Sequence, residues 1–289
     1  MKEQNRDIQE DEFRVIGKPV IENAPKKRPW FAFLSALILI AIALFAIFCL
    51  LNQKHQGQSN DLFDDTTSLQ SVDTSSPLGH AAQASYAEKI DTVINDIHLY
   101  LLIPHNAVPS LVVGTPNATD TTIVLAVQAS GIRADNLEIL GSFVLNGDII
   151  ARGKSKKGFC AIIDGNIIIG TAENTSFFEE AVDKGGDFFR QYPLVDNGIL
   201  VESGPKGKST RRALCSRTGE IFVALSESAE SMHDFAQALV DLGVENAIYL
   251  VGGQNAYGWC VDLDKEQTVF GSDSKQYKNE NYLVWSCLP

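Results

Sequence analysis

The stretch that ends at Gly252-Gly253 constrains the fold most, because it joins a helix, a strand and a glycine-rich turn in direct succession. Apolar residues recur at helical spacing over residues 231–242, which predicts an amphipathic helix, and Gly243 follows as the expected C-terminal cap. The continuous apolar run Ala247–Val251 is typical of a strand in a covered sheet. The two glycines then let the backbone approach a neighbour closely, which is where α/β proteins tend to place ligands.

Most of the remaining apolar runs have the length of strands and are separated by turn residues. They cover residues 123–129, 141–150, 158–163, 166–170, 199–201, 213–215 and 221–225. Asn146-Gly147 and Asp164-Gly165 are typical of hairpin turns, and residues 176–184 predict a short helix. We therefore expect an α/β or α+β domain in which a mixed β-sheet is packed against helices.

A further helix is predicted where the domain begins. Its apolar positions follow the helical period and are Tyr86, Ile90, Val93, Ile94 and Ile97. Ser85 precedes them as a candidate N-cap, with Glu88 three residues later, which is the spacing of a capping box.

A run without charged residues, Trp30–Leu51, predicts one transmembrane helix before this domain. At about 1.5 Å per residue, the run is long enough to cross a hydrocarbon core of about 30 Å. Lys26-Lys27-Arg28 precede the run and only Lys54 follows it closely, so the positive-inside rule places the N-terminus in the cytoplasm. We expect a single-pass protein of the inner (cytoplasmic) membrane whose C-terminal domain faces the periplasm or the cell exterior.

The chain then divides into four parts by composition. Residues 1–29 form a cytoplasmic tail, 30–51 the transmembrane helix, 52–84 a flexible linker rich in Ser, Asp and Gln, and 85–289 the extracytoplasmic domain.

Charge and cysteine content narrow the classes of function. The 289 residues include 24 Lys and Arg against 36 Asp and Glu, and the net charge of -12 argues against a nucleic-acid partner. The cysteines outside the membrane run permit two disulfides or can stay as buried free thiols: Cys160, Cys215, Cys260 and Cys287. No cysteine–histidine spacing indicates a metal site, and the sequence identifies no cofactor.

The glycine turn and the strand before it carry a resemblance to a known family. Asn246–Leu250 followed by Gly252-Gly253 is similar to the segment Asn-Ala-[apolar]-x-Leu-Asp-Gly-Gly-Gly-Ser of the phosphodiester glycosidases. Val251 replaces the aspartate of that segment, and Gln254-Asn255 replace its Gly-Ser. The chain therefore resembles this family, and within it the variety found in gut Bacteroidetes.

Other segments extend the resemblance over roughly residues 121–271 and occur in the family's order. Arg211–Cys215 is similar to the family's Arg-Thr-Ala-Ile-Gly, and Tyr192–Gly198 is similar to its Pro-x-Leu-Val-x-x-Gly. Leu140–Phe143, which includes Ser142, stands where the family has Asn-Gly-Gly-Phe.

The resemblance implies hydrolysis of the bond between the anomeric carbon of a sugar and a phosphate oxygen, in a glycan or sugar-phosphate of the cell envelope. Because the phosphate monoester leaves as a stable anion, such a site needs cationic clamps for the phosphate and one carboxylate at the anomeric carbon. Arginine suits the clamp, since its planar fork pairs with two phosphate oxygens.

The first candidate catalytic residue is Arg211, which aligns with the family's arginine. The candidate catalytic carboxylates are Glu202, Asp262 and Asp148, and their spacing in the sequence does not favour one over the others. The candidate substrate-binding residues are two more arginines and residues of the matching turns: Arg190, Arg212, Ser142, Gly252, Gly253, Asn255 and Tyr257. Successive strand residues face opposite sides of a sheet, so only one of Arg211 and Arg212 can line a given cleft.

Two other functions stay open. Val251 can neither donate nor accept a proton, so the protein can instead be a lapsed relative that binds glycans without cleaving them. A structural envelope protein would have Gly252-Gly253 buried against other backbone. Convergence of Arg211, Gly252-Gly253 and a carboxylate on one open cleft would favour an enzyme.

Overall fold

The computed structural model describes residues 84–153, 156–201, 204–272 and 277–287. The predicted cytoplasmic tail, the predicted membrane span Trp30–Leu51, nearly all of the predicted linker and Glu202 lie outside the described residues. Within the described residues, no helix is long and apolar enough to cross a membrane.

The largest sheet has seven strands. In spatial order they are β1 (Tyr86–Ile94), β2 (Ile97–His105), β13 (Glu220–Ser226), β12 (Arg212–Arg217), β14 (Asn246–Leu250), β10 (Pro193–Asp196) and β11 (Ile199–Leu200). β12 lies between β13 and β14, with Arg212 opposite both Leu225 and Leu250. This register places the start of β12 beside the glycine turn that follows β14.

A second sheet has five strands in the order β16 (Gln267–Phe270), β15 (Gly258–Val261), β4 (Ile123–Gln128), β17 (Asn281–Cys287) and β3 (Ala107–Val113). The last long strand of the chain, β17, is inserted between β3 and β4, with Tyr282 opposite Gln128 and Asn281 opposite Val113. The C-terminal segment therefore runs beside residues far from it in sequence.

A third sheet has five strands in the order β6 (Asp148–Ala151), β5 (Phe143–Leu145), β9 (Asp187–Gln191), β7 (Gly158–Ile163) and β8 (Asn166–Thr171). Asn146 and Asp164 have positive φ angles of 49° and 52°, followed by glycines, so the two predicted hairpin turns are confirmed. Helix α1 (Phe177–Asp183) packs against this sheet through its buried Ala181.

Helix α2 (Met232–Asp241) covers the seven-stranded sheet and confirms the helix predicted from apolar periodicity. The Ser231 side chain accepts a hydrogen bond of 3.0 Å from the Asp234 amide, which caps the first turn. Phe235, Ala238 and Leu239 are fully buried against that sheet. Gly243, with φ of +85°, ends the helical segment as expected.

The main hydrophobic core lies where the three sheets meet. Side chains from all three contribute to one buried cluster, among them Leu125, Phe143, Cys160, Leu214 and Ile248. The four cysteines within the described residues are free, so none of them forms a disulfide. Burial raises the pKa of the Cys160 and Cys215 thiols and raises that of Cys260 to about 11, which makes them unreactive core residues.

The helix predicted for the start of the domain is wrong, because those residues form the hairpin β1–β2. Asn95 and Asp96 have φ angles of 53° and 61°, the left-handed values that a tight hairpin turn requires. The apolar residues at positions 86, 90 and 94 are four apart. That spacing fits a helical face, but as an even number it also fits one face of a strand. Antiparallel pairing of this segment with β2 decided in favour of the strand.

The prediction of a mixed sheet was also wrong in one respect: every pairing between the described strands is antiparallel. Helix α2 does connect two strands that run in the same direction, β13 and β14. Both strands pair with β12, one on each side, so the parallel strands never become neighbours. The domain is mostly β-sheet with few helices, of the α+β kind.

Candidate functional site

The glycine turn after β14 packs tightly against the segment that leads into β12. A Cβ on Gly252 would lie 2.5 Å from the Thr210 carbonyl oxygen and 2.7 Å from the Tyr249 hydroxyl, so only glycine fits there. Gly253 has φ of +93°, and its amide donates to the Thr210 carbonyl at 2.9 Å. The close backbone approach predicted for these glycines is confirmed, and the contact with the Thr210 carbonyl is also the one that the structural alternative predicts.

The other side of the same turn borders an open cleft of about 370 Å³. Backbone and small side chains form part of its wall, at Gly131, Ile132, Val251, Gly252 and Ala256. The polar side chains that line it are Gln128, Ser130, Asn255, Tyr277, Glu280 and Asn281. The cleft therefore lies where the end of β4, the end of β14 and the start of β17 meet.

A hydrogen-bond network joins several of the residues that line the cleft. The Ser130 amide donates to Asn281 Oδ1 at 2.7 Å, and Asn281 Nδ2 donates back to the Ser130 carbonyl at 3.0 Å. Gln128 Nε2 donates to the Tyr282 hydroxyl at 3.1 Å, and its backbone carbonyl accepts from the Val251 amide at 3.3 Å. Both walls of the cleft are thus bonded to the end of β4.

Glu280 is the one carboxylate among the described residues that line the cleft, and sequence reasoning missed it. The Thr115 hydroxyl donates to its Oε2 at 3.3 Å. Its backbone is bonded on both sides, since its amide donates to Tyr277 at 3.0 Å and its carbonyl accepts from Gly114 at 2.7 Å. In the sequence, Glu280 is visible only as a glutamate directly before an apolar run. The spacing of residues along the chain could not show that this run pairs with β4.

Arg211, the predicted phosphate clamp, does not line the cleft. Its side chain is buried, and Nε donates to the Glu230 carbonyl at 2.8 Å while Nη2 donates to the Gly207 carbonyl at 2.5 Å. Its amide also donates to the Ser226 hydroxyl at 2.8 Å. Arg211 therefore ties two loops to the start of β12, and the predicted convergence of Arg211 with the glycine turn on one cleft does not occur.

Arg212 lies closer to the cleft and is less completely bonded. Nη2 donates to the carbonyl of Ala256, a cleft residue, at 2.5 Å. Nη1 is buried and has no hydrogen-bond partner within the described residues. Burial lowers the pKa of this guanidinium to about 10, and its carbon lies 4.7 Å from the centre of the Phe270 ring. Arg212 is therefore a buried cation directly behind the glycine turn.

Arg190 is bonded by its guanidinium to backbone carbonyls of two chain segments. Nη1 donates to Ala172 at 2.7 Å and to Lys156 at 3.0 Å, and Nη2 donates to Glu173 at 3.0 Å. Like Arg211, it does not line the cleft but joins loops together.

Lys156 is a second buried cation near the cleft. Its Nζ donates to Gln191 Oε1 at 2.9 Å and lies 4.8 Å from the centre of the Tyr192 ring. The same Nζ is 3.9 Å from where a Cβ on Gly131 would be, so it lies just behind a cleft residue. Burial lowers the pKa of Lys156 from 10.5 to about 8, and no carboxylate contributes to that shift.

The carboxylates and the serine predicted for the site lie elsewhere. Asp148 is exposed on the edge strand β6. Asp262 Oδ1 accepts a hydrogen bond of 2.9 Å from the Glu266 amide in the turn after β15. Ser142 donates to the Gly153 carbonyl at 2.8 Å. None of these residues lines the cleft.

The predicted residues of the glycine turn divide between cleft and core. Gly252 and Asn255 line the cleft, and Asn255 is exposed to it. Tyr257 instead packs against Trp259, with ring centres 5.6 Å apart, in the cluster on the outer face of the second sheet. No group of His, Cys, Asp or Glu within the described ranges could hold a metal ion.

Two solved structures share this fold. The zebrafish N-acetylglucosamine-1-phosphodiester alpha-N-acetylglucosaminidase catalytic domain, auto-inhibited by its pro-peptide, is 11% identical with a TM-score of 0.52; the match covers 73% of this chain and 85% of that chain. A hypothetical protein from Synechocystis is 13% identical with a TM-score of 0.50, covering 69% of this chain and 62% of that chain. At these identities the likeness concerns the fold.

Comparison by sequence gives a more specific result than comparison by structure. No curated protein matches this chain. The phosphodiester glycosidase family model, however, matches residues 121–280, which is more than half of the chain. The match includes the glycine turn and the arginine pair, and it extends to Glu280. The chain therefore belongs to the phosphodiester glycosidase family.

Proposed function

We propose that the cleft binds a sugar phosphodiester and that the protein hydrolyses the bond between the anomeric carbon and the phosphate oxygen. The observation that carries this proposal is the combination of an open cleft with two buried cations behind its walls. Lys156 lies behind Gly131, and Arg212 is bonded to Ala256. No carboxylate contributes to the pKa shift of either cation.

An uncompensated buried cation is unfavourable, and its field acts strongly across the low-dielectric wall of a cleft. The described cleft lining carries one carboxylate, Glu280, against these two cations, so an anionic ligand would offset a further part of the cost of burying them. The neutral polar groups of Gln128, Ser130 and Asn255 suit sugar hydroxyls, and the exposed ring of Tyr277 suits the apolar face of a sugar. The lining thus fits a ligand that is part sugar and part phosphate.

The cell-envelope location belongs to the same proposal. If Trp30–Leu51 spans the inner membrane with the N-terminus in the cytoplasm, the domain acts on envelope glycans or sugar-phosphates from the periplasmic or outer side. An alkaline phosphatase fusion after Pro289, which is active only outside the cytoplasm, should be active. A stable but silent fusion would overturn this orientation.

A second candidate function is binding without cleavage. It is favoured by Val251, which lines the cleft at the position where the family motif has an aspartate. In that case, the cleft would hold a glycan phosphodiester and release it unchanged.

The test compares binding with turnover on the full-length chain in detergent. The probes are the methyl phosphodiesters of N-acetylglucosamine, glucose and mannose 1-phosphates, with the free sugars and methyl phosphate as controls. Saturable binding of a diester by calorimetry together with release of methyl phosphate supports the enzyme. Binding without release supports the second candidate, and absence of binding to every diester contradicts both.

A further inference from the structure

We propose that Glu280 is the catalytic base of this cleft and takes the place of the acid that the glycine turn lacks. This inference rests on the proposed function. Val251 stands where the family motif has an aspartate, and a valine side chain cannot exchange a proton. Among the described residues that line the cleft, Glu280 is the carboxylate.

Glu280 and the glycine turn line the same cleft from different segments of the chain. It directly precedes β17, whose first residues pair with the end of β4. The Val251 amide is bonded to the Gln128 carbonyl at the same end of β4. The two positions therefore flank one short segment, although they belong to different sheets and are separated by a long stretch of sequence.

Hydrogen bonds hold both the backbone and the side chain of Glu280. Its backbone amide and carbonyl are both hydrogen-bonded, to Tyr277 and Gly114, so the Cα position is determined. The Thr115 hydroxyl donates to Oε2 at 3.3 Å. Residue 280 is half-buried, so a substrate in the cleft and a water molecule can both reach it.

The chemistry needs only one carboxylate. As a water molecule attacks the anomeric carbon, the Glu280 carboxylate takes one of its protons and a new C–O bond forms. The bond from the anomeric carbon to the phosphate oxygen breaks, and its electron pair leaves with the phosphate monoester. The products are the free sugar and the phosphate monoester, and the proton held by Glu280 passes to solvent. The leaving anion is stable without protonation, so no second acid is required.

The experiment uses three variants of the full-length chain: Glu280→Gln, Glu280→Ala and the control Glu266→Gln. Glu266 is an exposed glutamate in the turn between β15 and β16 and does not line the cleft. We expect Glu280→Gln to lower kcat by about 10²–10⁴-fold while Kd for the diester changes little, because a general base contributes about that much. In the Glu280→Gln variant, the fall of kcat/KM at acidic pH should also disappear. Glu266→Gln should behave as wild type.

Azide separates a catalytic role from a structural one. Azide is a nucleophile that needs no base, so it should restore turnover of Glu280→Ala and form a glycosyl azide. A residue that only supports the fold would not give this product, and its loss would instead lower the melting temperature. Equal turnover by wild type and Glu280→Ala, or loss of turnover without azide rescue, would overturn the assignment of Glu280.

These outcomes are distinguishable from failure of the proposed function. If wild type binds the diester but does not hydrolyse it, the role of Glu280 is wrong and the binding function stands. If wild type binds no diester, the proposed function itself is wrong. If every variant hydrolyses the diester, the function stands and the base is another residue.

Discussion

The two walls of the cleft differ in what they contribute. The glycine-turn wall, Val251–Ala256, carries the family motif and has the buried cation Arg212 behind it, but it lacks an acid. The C-terminal wall, Tyr277–Asn281, carries an acid and an exposed aromatic ring but none of the motif residues. The recognisable motif and the acid of this cleft thus belong to different segments of the chain. Under the proposed function, the buried cation Arg212 behind the first wall favours the phosphate, and the exposed ring of Tyr277 on the second wall favours the sugar.

The largest effect expected on stability concerns Lys156, which lies behind the cleft residue Gly131. Its folded-state pKa of about 8 lies below the ordinary value of 10.5, so the folded state binds fewer protons between these values. The free energy of unfolding should therefore rise between about pH 8 and pH 10.5, by on the order of 3 kcal/mol. Urea unfolding across this range, with Lys156→Met as control, measures the rise.

The Lys156→Met variant should lack this rise. A saturating phosphodiester should also shift the wild-type rise to higher pH, because a nearby anion favours the charged ammonium. An identical pH dependence in wild type and variant would show that Lys156 is not the responsible group.

The next effect concerns the phosphate side of the comparison. Arg212→Met removes the buried cation behind the glycine turn, so affinity for a sugar phosphodiester should fall by about 2 kcal/mol, some thirtyfold. Affinity for the free sugar should be unchanged, and calorimetry with both ligands measures the difference. Equal losses for the two ligands would mean that the substitution damages the cleft in general.

A matched control for Arg212 is its neighbour in sequence. Arg211→Lys retains the charge but cannot bond both the Gly207 and the Glu230 carbonyls, so the free energy of unfolding should fall by about 1–2 kcal/mol. Binding of the phosphodiester should change little. Weaker binding with unchanged stability would instead restore Arg211 as the phosphate clamp that its alignment predicts.

The smallest effect concerns the sugar side. Tyr277 is 41% exposed at the rim of the cleft, so Tyr277→Ala should cost below about 1 kcal/mol of affinity, from the modest apolar area that a sugar would cover. The loss should be similar for the diester and for the free sugar. A loss seen only with the diester would break the division between a phosphate wall and a sugar wall.

Several local elements could be predicted from sequence because local residues determine them. Helix α2 has an apolar face over its whole length and a serine cap, and the hairpin turns at Asn146 and Asp164 contain residues that tolerate positive φ. The family resemblance, which was also predicted from sequence, is confirmed by the family match over residues 121–280.

The segment at the start of the domain was predicted wrongly because two periods fit it equally. Residues four apart share a face in a helix and also in a strand. Pairing with β2, which in turn pairs with β13, buries Leu99 and Leu101 and decides in favour of strands. This pairing depends on residues more than a hundred positions away.

The sequence by itself determined the family, the glycine turn and the local elements, because each depends on residues close together in the chain. Only the tertiary structure decided which charged groups meet at the cleft. Arg211 precedes β12 and Arg212 begins it, and the surrounding loops decide that Arg211 binds carbonyls and Arg212 lies behind the turn. Insertion of β17 beside β4 brings Glu280 to the cleft, and such long-range strand pairing leaves no signal in local spacing.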